Sequence, residues 1–159
     1  MHRKLALKAT VLAIATLTSS IGFAAPVFVN HLTVSGNATD LAPNPGGTGG
    51  ANVNRLGGFG SDFYYDRSQD VFYGLNDRGA GGGVYSYDTR VQKFKLDVDP
   101  VSGAIGNFKL LDTILFQDGA NSFNGLNPEK LNGDTSVLGR SFDPEGFVVG
   151  RNGNFYVSD

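Results

Sequence analysis

The pattern of apolar and polar residues from residue 56 onward predicts an all-β domain. Short runs of aromatic and β-branched residues alternate with clusters of glycine, proline, asparagine and aspartate, as expected for strands joined by turns. Apart from the N-terminal region, no window of the sequence has a helical period. The predicted strands are residues 63–66, 71–75, 84–87, 94–99, 108–116, 147–149 and 155–157.

Residues 25–55 are predicted to form a lead-in to this domain. Residues 28–34 alternate well enough to predict one strand. Residues 44–52 read Asn-Pro-Gly-Gly-Thr-Gly-Gly-Ala-Asn, which is the composition of a loop. We therefore expect a lead-in strand and a glycine-rich loop, followed by the main domain over residues 56–159.

The first 24 residues are predicted to be a cleavable signal peptide. Arg3, Lys4 and Lys8 form a positive start, and an uncharged run of apolar and small residues follows at 9–21. Gly22-Phe23-Ala24 then supplies the small residues of a cleavage site. The alternative is an uncleaved membrane anchor, for which this apolar run is short. We expect a secreted or periplasmic protein that has no membrane association after cleavage.

Charge and composition exclude several classes of function. Removal of the signal takes away three of the 13 basic residues and none of the 15 acidic ones, which leaves a formal charge of about −5. This charge argues against nucleic acid or anionic lipid as a partner, because both bind basic surfaces. The chain has no cysteine, and His31 is the single histidine after residue 24. Any catalysis would therefore depend on carboxylates, arginine and a bound metal ion.

An internal repeat indicates how the strands are organised. Residues 58–77 and 141–159 each run from an acid, through an aromatic strand and a tight turn, to a Phe-Tyr strand that leads to aspartate. The region between the two copies has room for two more strands. Four strands per repeat are the unit of a β-propeller blade. The sequence therefore predicts four-stranded blades that repeat about every 83 residues.

A chain of this length would hold only the first one to two blades. Propellers have ~4–8 blades, so we expect residues 56–159 to be the N-terminal part of a longer propeller domain. The alternative is a small complete sandwich of about 130 residues, which is within the normal size of a domain. A further alternative is a truncated product without activity.

Acidic residues of the repeat are candidates for a metal site. Asp62 and Glu145 are predicted to occupy matching places in the two copies, and so are Asp77 and Asp159. Equivalent positions of successive blades converge at one end of the central channel of a propeller. Several carboxylates around one axis are suitable ligands for Ca²⁺. A bound cation would activate a coordinated water. The predicted metal ligands are Asp62, Asp77, Asp143, Glu145 and Asp159.

Two residues of this group are also candidates for direct catalytic roles. Glu145 is suited to act as the general base that activates water, and Arg78 to pair with a phosphate or carboxylate through two parallel hydrogen bonds. The competing interpretation is that the predicted acidic ligands cap turns. Asn76-Asp77-Arg78-Gly79 and Asp143-Pro144-Glu145-Gly146 are both good turn sequences. Four other acids, which flank hairpins and have no counterpart in the second repeat, are predicted to be structural: Asp66, Asp70, Asp97 and Asp99.

Four segments of the chain form a set of motifs: Arg-Leu-Gly-Gly-Phe-Gly-Ser-Asp at 55–62, Phe-Tyr-Gly-Leu-Asn-Asp-Arg-Gly at 72–79, Phe-Asp-Pro-Glu-Gly at 142–146 and Phe-Tyr-Val-Ser-Asp at 155–159. Together they resemble the secreted phytase-like domain family, which is also described as having esterase-like activity of phytase. The similarity runs from about Arg55 to the end of the chain and covers the opening part of the family domain. The resemblance implies a β-propeller that hydrolyses phosphate or other esters outside the cytoplasm.

Two functions follow as hypotheses. The first is a phytase-like hydrolase that acts on a small-molecule phosphoester through a carboxylate-bound metal and activated water. The second is a non-catalytic propeller that binds a ligand or a protein partner outside the cell, with the acids in structural roles. The fold alone does not separate them, because propellers have both kinds of function.

Overall fold

The computed structural model describes residues 25–43 and 53–159, and within them nearly all regular structure is β. A four-stranded antiparallel sheet has the order β1-β2-β3-β4, and two separate hairpins follow, β5-β6 and β7-β8. The helical structure of this part of the chain is one 3-10 turn at Thr135–Val137. The strands are β1 (Phe63–Asp66), β2 (Val71–Leu75), β3 (Arg90–Val98), β4 (Ile105–Leu115), β5 (Gln117–Asp118), β6 (Asn121–Ser122), β7 (Gly146–Val149) and β8 (Phe155–Ser158).

This architecture confirms the prediction of an all-β fold built from antiparallel sheets. Strands β1 and β2 have the predicted bounds, and their register pairs Phe63 with Gly74 and Asp66 with Val71. Strands β3 and β4 are longer than predicted because they pair with each other along nearly their whole length. The pairing has two shifts of register. Backbone pairing therefore extends each strand into polar residues that the alternating pattern did not include.

Two acids that were predicted to be structural have that role in the turns. Asp66 accepts hydrogen bonds from the backbone and side chains of Ser68 and Gln69 in the β1–β2 turn. Asp99 accepts bonds from Val101 and Ser102 in the β3–β4 turn. The bonds from Ser68 and Ser102 are the main reason that the pKa of each carboxyl is lowered. Both acids are turn caps of the kind that favour aspartate.

Residues 84–87 were predicted to be a strand, and the prediction is wrong. These residues belong to a loop that connects β2 to β3. Glycine forms the turns of this loop, and Gly79 has a φ of 71°. The ring of Tyr87 lies directly against Gly79, where a Cβ atom would overlap it. The aromatic residues of the run therefore pack onto glycine backbone instead of entering a sheet.

The predicted lead-in strand is also absent. Residues 28–34 form no strand; the side chain of Asn30 instead donates to the carbonyl of Ile105 at 2.7 Å and accepts from its N–H at 2.9 Å. One side chain thus substitutes for a backbone ladder at the start of β4. The predicted signal peptide and the glycine-rich loop at 44–52 lie outside the described residues.

A buried ion pair fixes the second part of the lead-in to the sheet. Asp40 accepts from Arg90 at 2.7 Å and from Gln92 at 2.9 Å, and all three residues are at most 5% exposed. The guanidinium of Arg90 also lies 3.8 Å from the centre of the Tyr87 ring. Buried charges are stable only when they are paired and hydrogen-bonded. Asp40 therefore holds the lead-in against β3.

The apolar core lies between the four-stranded sheet and the hairpin β7–β8. Its buried members are Val71, Tyr73, Leu75 and Val91 from the sheet and Phe147 from the hairpin. Four of these residues have odd numbers in β2 and β3 and share one face of the sheet, as the two-residue period of a strand requires. No helix in the described part of the chain is long and apolar enough to cross a membrane.

We predict that Asp40→Ala lowers the free energy of unfolding by about 3–5 kcal/mol, because it leaves the buried guanidinium of Arg90 without its partner. Urea denaturation followed by tyrosine fluorescence measures the change. The control is Asp118→Ala, which removes an exposed carboxyl that has no hydrogen bond among the described residues. A loss below about 1 kcal/mol, the value of an exposed ion pair, would contradict the structural role of Asp40.

Candidate functional site

The predicted site residues lie at the same end of the two sheets. Asp62 directly precedes β1, and Asp77 follows β2 by two residues. Glu145 directly precedes β7, and Asp159 follows β8. The start of one strand and the end of its antiparallel neighbour share an edge, so each hairpin brings its two acids to the same end. Contacts between β1 and β7 place the two ends beside each other.

Asp62 connects the two sheets. Its carboxylate accepts from the N–H of Phe147 at 2.9 Å through one oxygen and from the N–H of Phe63 at 2.8 Å through the other. Phe147 is the first residue of β7 to enter the core, where it is 6% exposed. Both oxygens of Asp62 are therefore bonded to backbone, and the contact sets the position of β7 against β1.

Arg78 makes the second connection, from the end of β2 to the turn before β7. Its Nε lies 2.9 Å from Oδ2 of Asp143, and its Nη1 donates to the carbonyl of Leu126 at 2.9 Å. The two charged side chains are 20% and 30% exposed, so the ion pair is partly open to solvent and not in the core. Nη2 has no hydrogen bond among residues 25–43 and 53–159, which leaves its donors free to bind an anion.

The loop between β6 and β7 folds closely around Arg78. Gly125 comes so near that a Cβ atom there would overlap the carbonyl group of Arg78. The hydroxyl of Ser141 donates to the carbonyl of Leu126, and Asn124 accepts the N–H of Phe142 at 2.8 Å through its backbone oxygen. The glycine at position 125 is thus required by this close approach, and the loop supplies carbonyl acceptors to the arginine.

The remaining three candidates are exposed at the end of the sheets. Asp77 caps its own turn by accepting the N–H of Gly79 at 2.9 Å. Asp159 accepts the N–H of Asp143 at 3.2 Å, which ties the end of β8 to the turn that carries Glu145. The carboxylate of Glu145 has no hydrogen bond or ion pair within the described chain, while its N–H pairs with the carbonyl of Ser158 at 3.0 Å.

The structure therefore joins some of the predicted residues and separates others. Arg78, Asp143 and Asp159 are linked through direct contacts, and Glu145 is two residues from Asp143. Asp62 is bonded to the start of β7. Across residues 25–43 and 53–159, no three His, Cys, Asp or Glu residues form a group that could hold a metal ion.

Strand register explains part of this separation. The Phe-Tyr pairs of the two repeats match without a gap, and they place Gly74 and Val157 at equivalent positions. Gly74 pairs with Phe63, whereas Val157 pairs with Phe147. Asp62 is one residue before Phe63, but Glu145 is two residues before Phe147, so the acids assumed to match are one position apart. A shift of one residue turns a strand side chain to the opposite face.

Three contacts of Arg78 could not be predicted from the sequence. Leu126 and Gly125 accept through backbone carbonyls, and no residue type indicates such a contact. Ser141 is one of many hydroxyl residues in the chain, so nothing singled it out as a partner. The signal available was Gly125 itself, because a glycine outside the turn pattern indicates a close backbone approach. Its partner, 47 residues earlier in the sequence, follows only from the fold.

This end of the molecule carries a partly exposed guanidinium and, on the turn that pairs with it, an exposed carboxylate. The guanidinium of Arg78 is held by Asp143 through Nε and by carbonyls through Nη1, and its Nη2 group has no partner among the described residues. The exposed carboxylate of Glu145 is on the same turn as Asp143. An arginine and a free carboxylate are residue types that hydrolysis by activated water uses.

Comparison with known families gives one match. The model of the family described as phytase-like, with esterase-like activity of phytase, matches residues 54–159. The matched region contains every candidate site residue and all eight strands. It confirms the resemblance found in the sequence. No curated protein and no solved structure matches the chain significantly.

We predict that Arg78→Ala and Asp143→Ala each destabilise the fold, with a coupling energy of about 1 kcal/mol in a double-mutant cycle. The pair is partly exposed, so solvent screening keeps its value in the lower part of the range for charged hydrogen bonds. The measurement is the urea midpoint of the four proteins. Arg67→Ala, in the exposed β1–β2 turn, serves as the control for loss of positive charge. Additive effects of the two substitutions would contradict the connection between β2 and β7.

Proposed function

This chain belongs to the phytase-like family, and on that premise we propose that it is an exported hydrolase of phosphate esters. The observation that carries the proposal is the arrangement of Arg78 and Glu145 at one end of the matched region. The family match favours this function over a non-catalytic ligand-binding propeller. The predicted signal peptide at 1–24 supports export to the periplasm or the exterior, where the substrate would be a small phosphoester.

Arg78 is proposed to hold the phosphate group of the substrate. Its Nη2 donors are available, and the ion pair with Asp143 together with the carbonyl of Leu126 fixes the plane of the guanidinium. The Nη2 group of a guanidinium held in this way donates to a phosphate oxygen, and the positive charge stabilises the negative charge that develops on the phosphate during displacement. Asp143 and Leu126 thus act as positioning groups.

Glu145 is proposed to be the general base. Its carboxylate has no competing partner in the described chain and is exposed to water. Water attacks phosphorus as Glu145 removes one of its protons, and a new P–O bond forms while the P–O bond to the alcohol breaks. The proton then passes to the leaving alkoxide, so that the products are inorganic phosphate and an alcohol. Buried Pro144 and the bond from Asp159 to Asp143 hold the turn that presents Glu145.

We also propose that the two sheets are parts of one repeated architecture, a β-propeller. The sheet β1–β4 corresponds to one four-stranded blade, and β7–β8 to the first half of the next. The support is the repeated hairpin sequence and the packing of the two hairpins against each other through their apolar faces. In this architecture the site residues lie at one end of the central channel.

Replacement of Glu145 by glutamine is the sharpest test of this mechanism. We predict that Glu145→Gln lowers kcat for a phosphomonoester such as p-nitrophenyl phosphate about 10²–10⁴-fold, because the amide cannot accept the proton of the attacking water. Glu129→Gln changes the other glutamate of the chain, which is exposed in the loop before the 3-10 turn, and should leave kcat unchanged. Equal activity of the Glu145 variant and the wild type would exclude Glu145 as the base.

Calcium binding remains a prediction, and no step of the proposed reaction depends on it. When bound, the ion would withdraw charge from a phosphate oxygen, but the five predicted ligands do not gather into one cluster in the described part of the chain. Isothermal titration of the protein with CaCl₂ tests the prediction, and binding that Glu145→Gln weakens and Glu129→Gln does not would support it. Absence of binding would remove calcium from the account and leave the proposed role of Glu145 untouched.

A further inference from the structure

A polar cleft lies between the two hairpins, at the end opposite to the candidate functional site. It opens between the β1–β2 turn and the β7–β8 turn, so each hairpin forms one of its walls, and its volume is about 330 Å³. This volume is at the lower end of the range of small-molecule sites, which is ~300–1,000 Å³. The polar side chains that line the cleft belong to Tyr64, Asp66, Ser68, Gln69, Tyr73 and Arg151.

Tyr73 is the buried polar residue of this cleft, and its hydroxyl has no partner. The residue is 7% exposed, and its ring packs against those of Tyr64 at 6.3 Å and Phe155 at 5.4 Å. Neither tyrosine hydroxyl makes a hydrogen bond with another residue in the ranges 25–43 and 53–159. A buried tyrosine hydroxyl usually has a partner, because a buried polar group without one is costly. The free hydroxyl of Tyr73 therefore points to a ligand from outside the chain.

The charges around the cleft oppose each other. Asp66 contributes a carboxylate, which accepts from Nε2 of Gln69 at 2.7 Å. Arg151 contributes a guanidinium that has no ion pair or hydrogen bond within the described chain. Lys93 lies beside the cleft, where its Nζ donates to Oε1 of Gln69 at 3.2 Å. An anion in the cleft would face Asp66, and a cation would face Arg151 and Lys93, so the cleft favours neither sign of charge.

The polar atoms that remain for a ligand include both donors and acceptors. The guanidinium of Arg151 only donates, and the two tyrosine hydroxyls both donate and accept. The hydroxyl of Ser68 donates to Asp66 at 2.6 Å, which leaves its oxygen as an acceptor. Alcohol groups on a ligand would satisfy all of these, because each alcohol also donates and accepts. The partly buried ring of Phe155 adds apolar surface that suits C–H groups between the alcohols.

We infer that this cleft binds a neutral polyhydroxylated molecule of about the size of one sugar ring. The hydroxyl of Tyr73 makes a hydrogen bond with one ligand hydroxyl, and Arg151 donates to another from the opposite wall. The ligand therefore bridges the two hairpins at the end where they have no polar connection to the candidate functional site. The inference does not depend on the proposed hydrolysis, which uses residues at the other end.

Saturation-transfer NMR of the full chain, as its expression host processes it, tests whether the cleft binds a sugar. The probe is an equimolar mixture of D-glucose, D-galactose and D-mannose. We expect irradiation of the aromatic protons of the protein to transfer saturation to the ring protons of at least one hexose. No transfer at hexose concentrations of tens of millimolar would mean that water alone fills the cleft, and would overturn the inference.

Two substitutions, one on each wall, identify the contacts. Tyr73→Phe removes the free hydroxyl without breaking a hydrogen bond of the described chain, so the protein should fold as the wild type does. We expect it to raise the Kd of the bound hexose about 3–10-fold, the value of one hydrogen bond between neutral groups. Arg151→Gln, in the exposed β7–β8 turn, should also raise the Kd. The control is Tyr85→Phe, whose ring packs on Gly81 in the β2–β3 loop, and its Kd should equal that of the wild type. Unchanged binding by either Tyr73→Phe or Arg151→Gln would overturn the inference.

Amide chemical shifts of the ¹⁵N-labelled protein show where the ligand binds and what charge it has. The hexose should shift the N–H signals of Gln69, Gly150 and Gly153 at the cleft and leave that of Gly79 at the other end unchanged. Sodium phosphate should leave the three cleft signals unchanged. Shifts of the cleft signals with phosphate and none with hexose would show an anion site and overturn the inference. The response of Arg78 to phosphate concerns the proposed hydrolysis alone, so failure of either proposal is recognised separately.

Discussion

Packing of the hairpin β7–β8 against the inner face of the sheet is the contact on which the rest of the structure depends. It buries Phe147 against Val71, Tyr73, Leu75 and Val91, and burial of large side chains contributes about 1.5–3 kcal/mol each. The contact is apolar and has no inherent direction. Two polar connections at one end, from Asp62 to the N–H of Phe147 and from Arg78 to Asp143, fix its register.

These polar connections explain why the candidate site lies where it does. Because Arg78 binds Asp143 and Asp159 binds the N–H of Asp143, the turn before β7 is held from both hairpins. Glu145, on that turn, has no such partner within the described residues and is exposed to solvent. Different residues therefore fix the turn and serve as the proposed base. All of them are charged and belong to the same short motifs.

Much of the fold could be predicted from local patterns, but the partners of the site residues could not. The bounds of β1 and β2 follow from alternation and turn chemistry, as do the capping roles of Asp66 and Asp99. Residues 84–87 have the composition of a strand, yet Tyr87 packs on Gly79 because a distant part of the chain shapes that loop. The pair Asp40 and Arg90 joins positions 50 residues apart, and no spacing rule indicates such a contact. Asp62 and Glu145 are not equivalent, because their positions relative to the strand register differ by one residue between the two hairpins. Sequence similarity alone did not reveal this difference.

The central claim is that the sheet and the hairpin pack as one unit and so bring their acids to a common end. Nuclear Overhauser effects between aromatic rings of the two parts measure this packing most directly. The account predicts cross-peaks between Tyr73 and Phe155, whose ring centres are 5.4 Å apart, and between Tyr64 and Phe147 at 6.5 Å. Cross-peaks within the sheet, such as those between Phe72 and Phe94 at 5.6 Å, confirm that the sheet itself is folded. If the peaks within the sheet were present and those between the sheet and the hairpin absent, the two parts would be independent, and the common site would not exist.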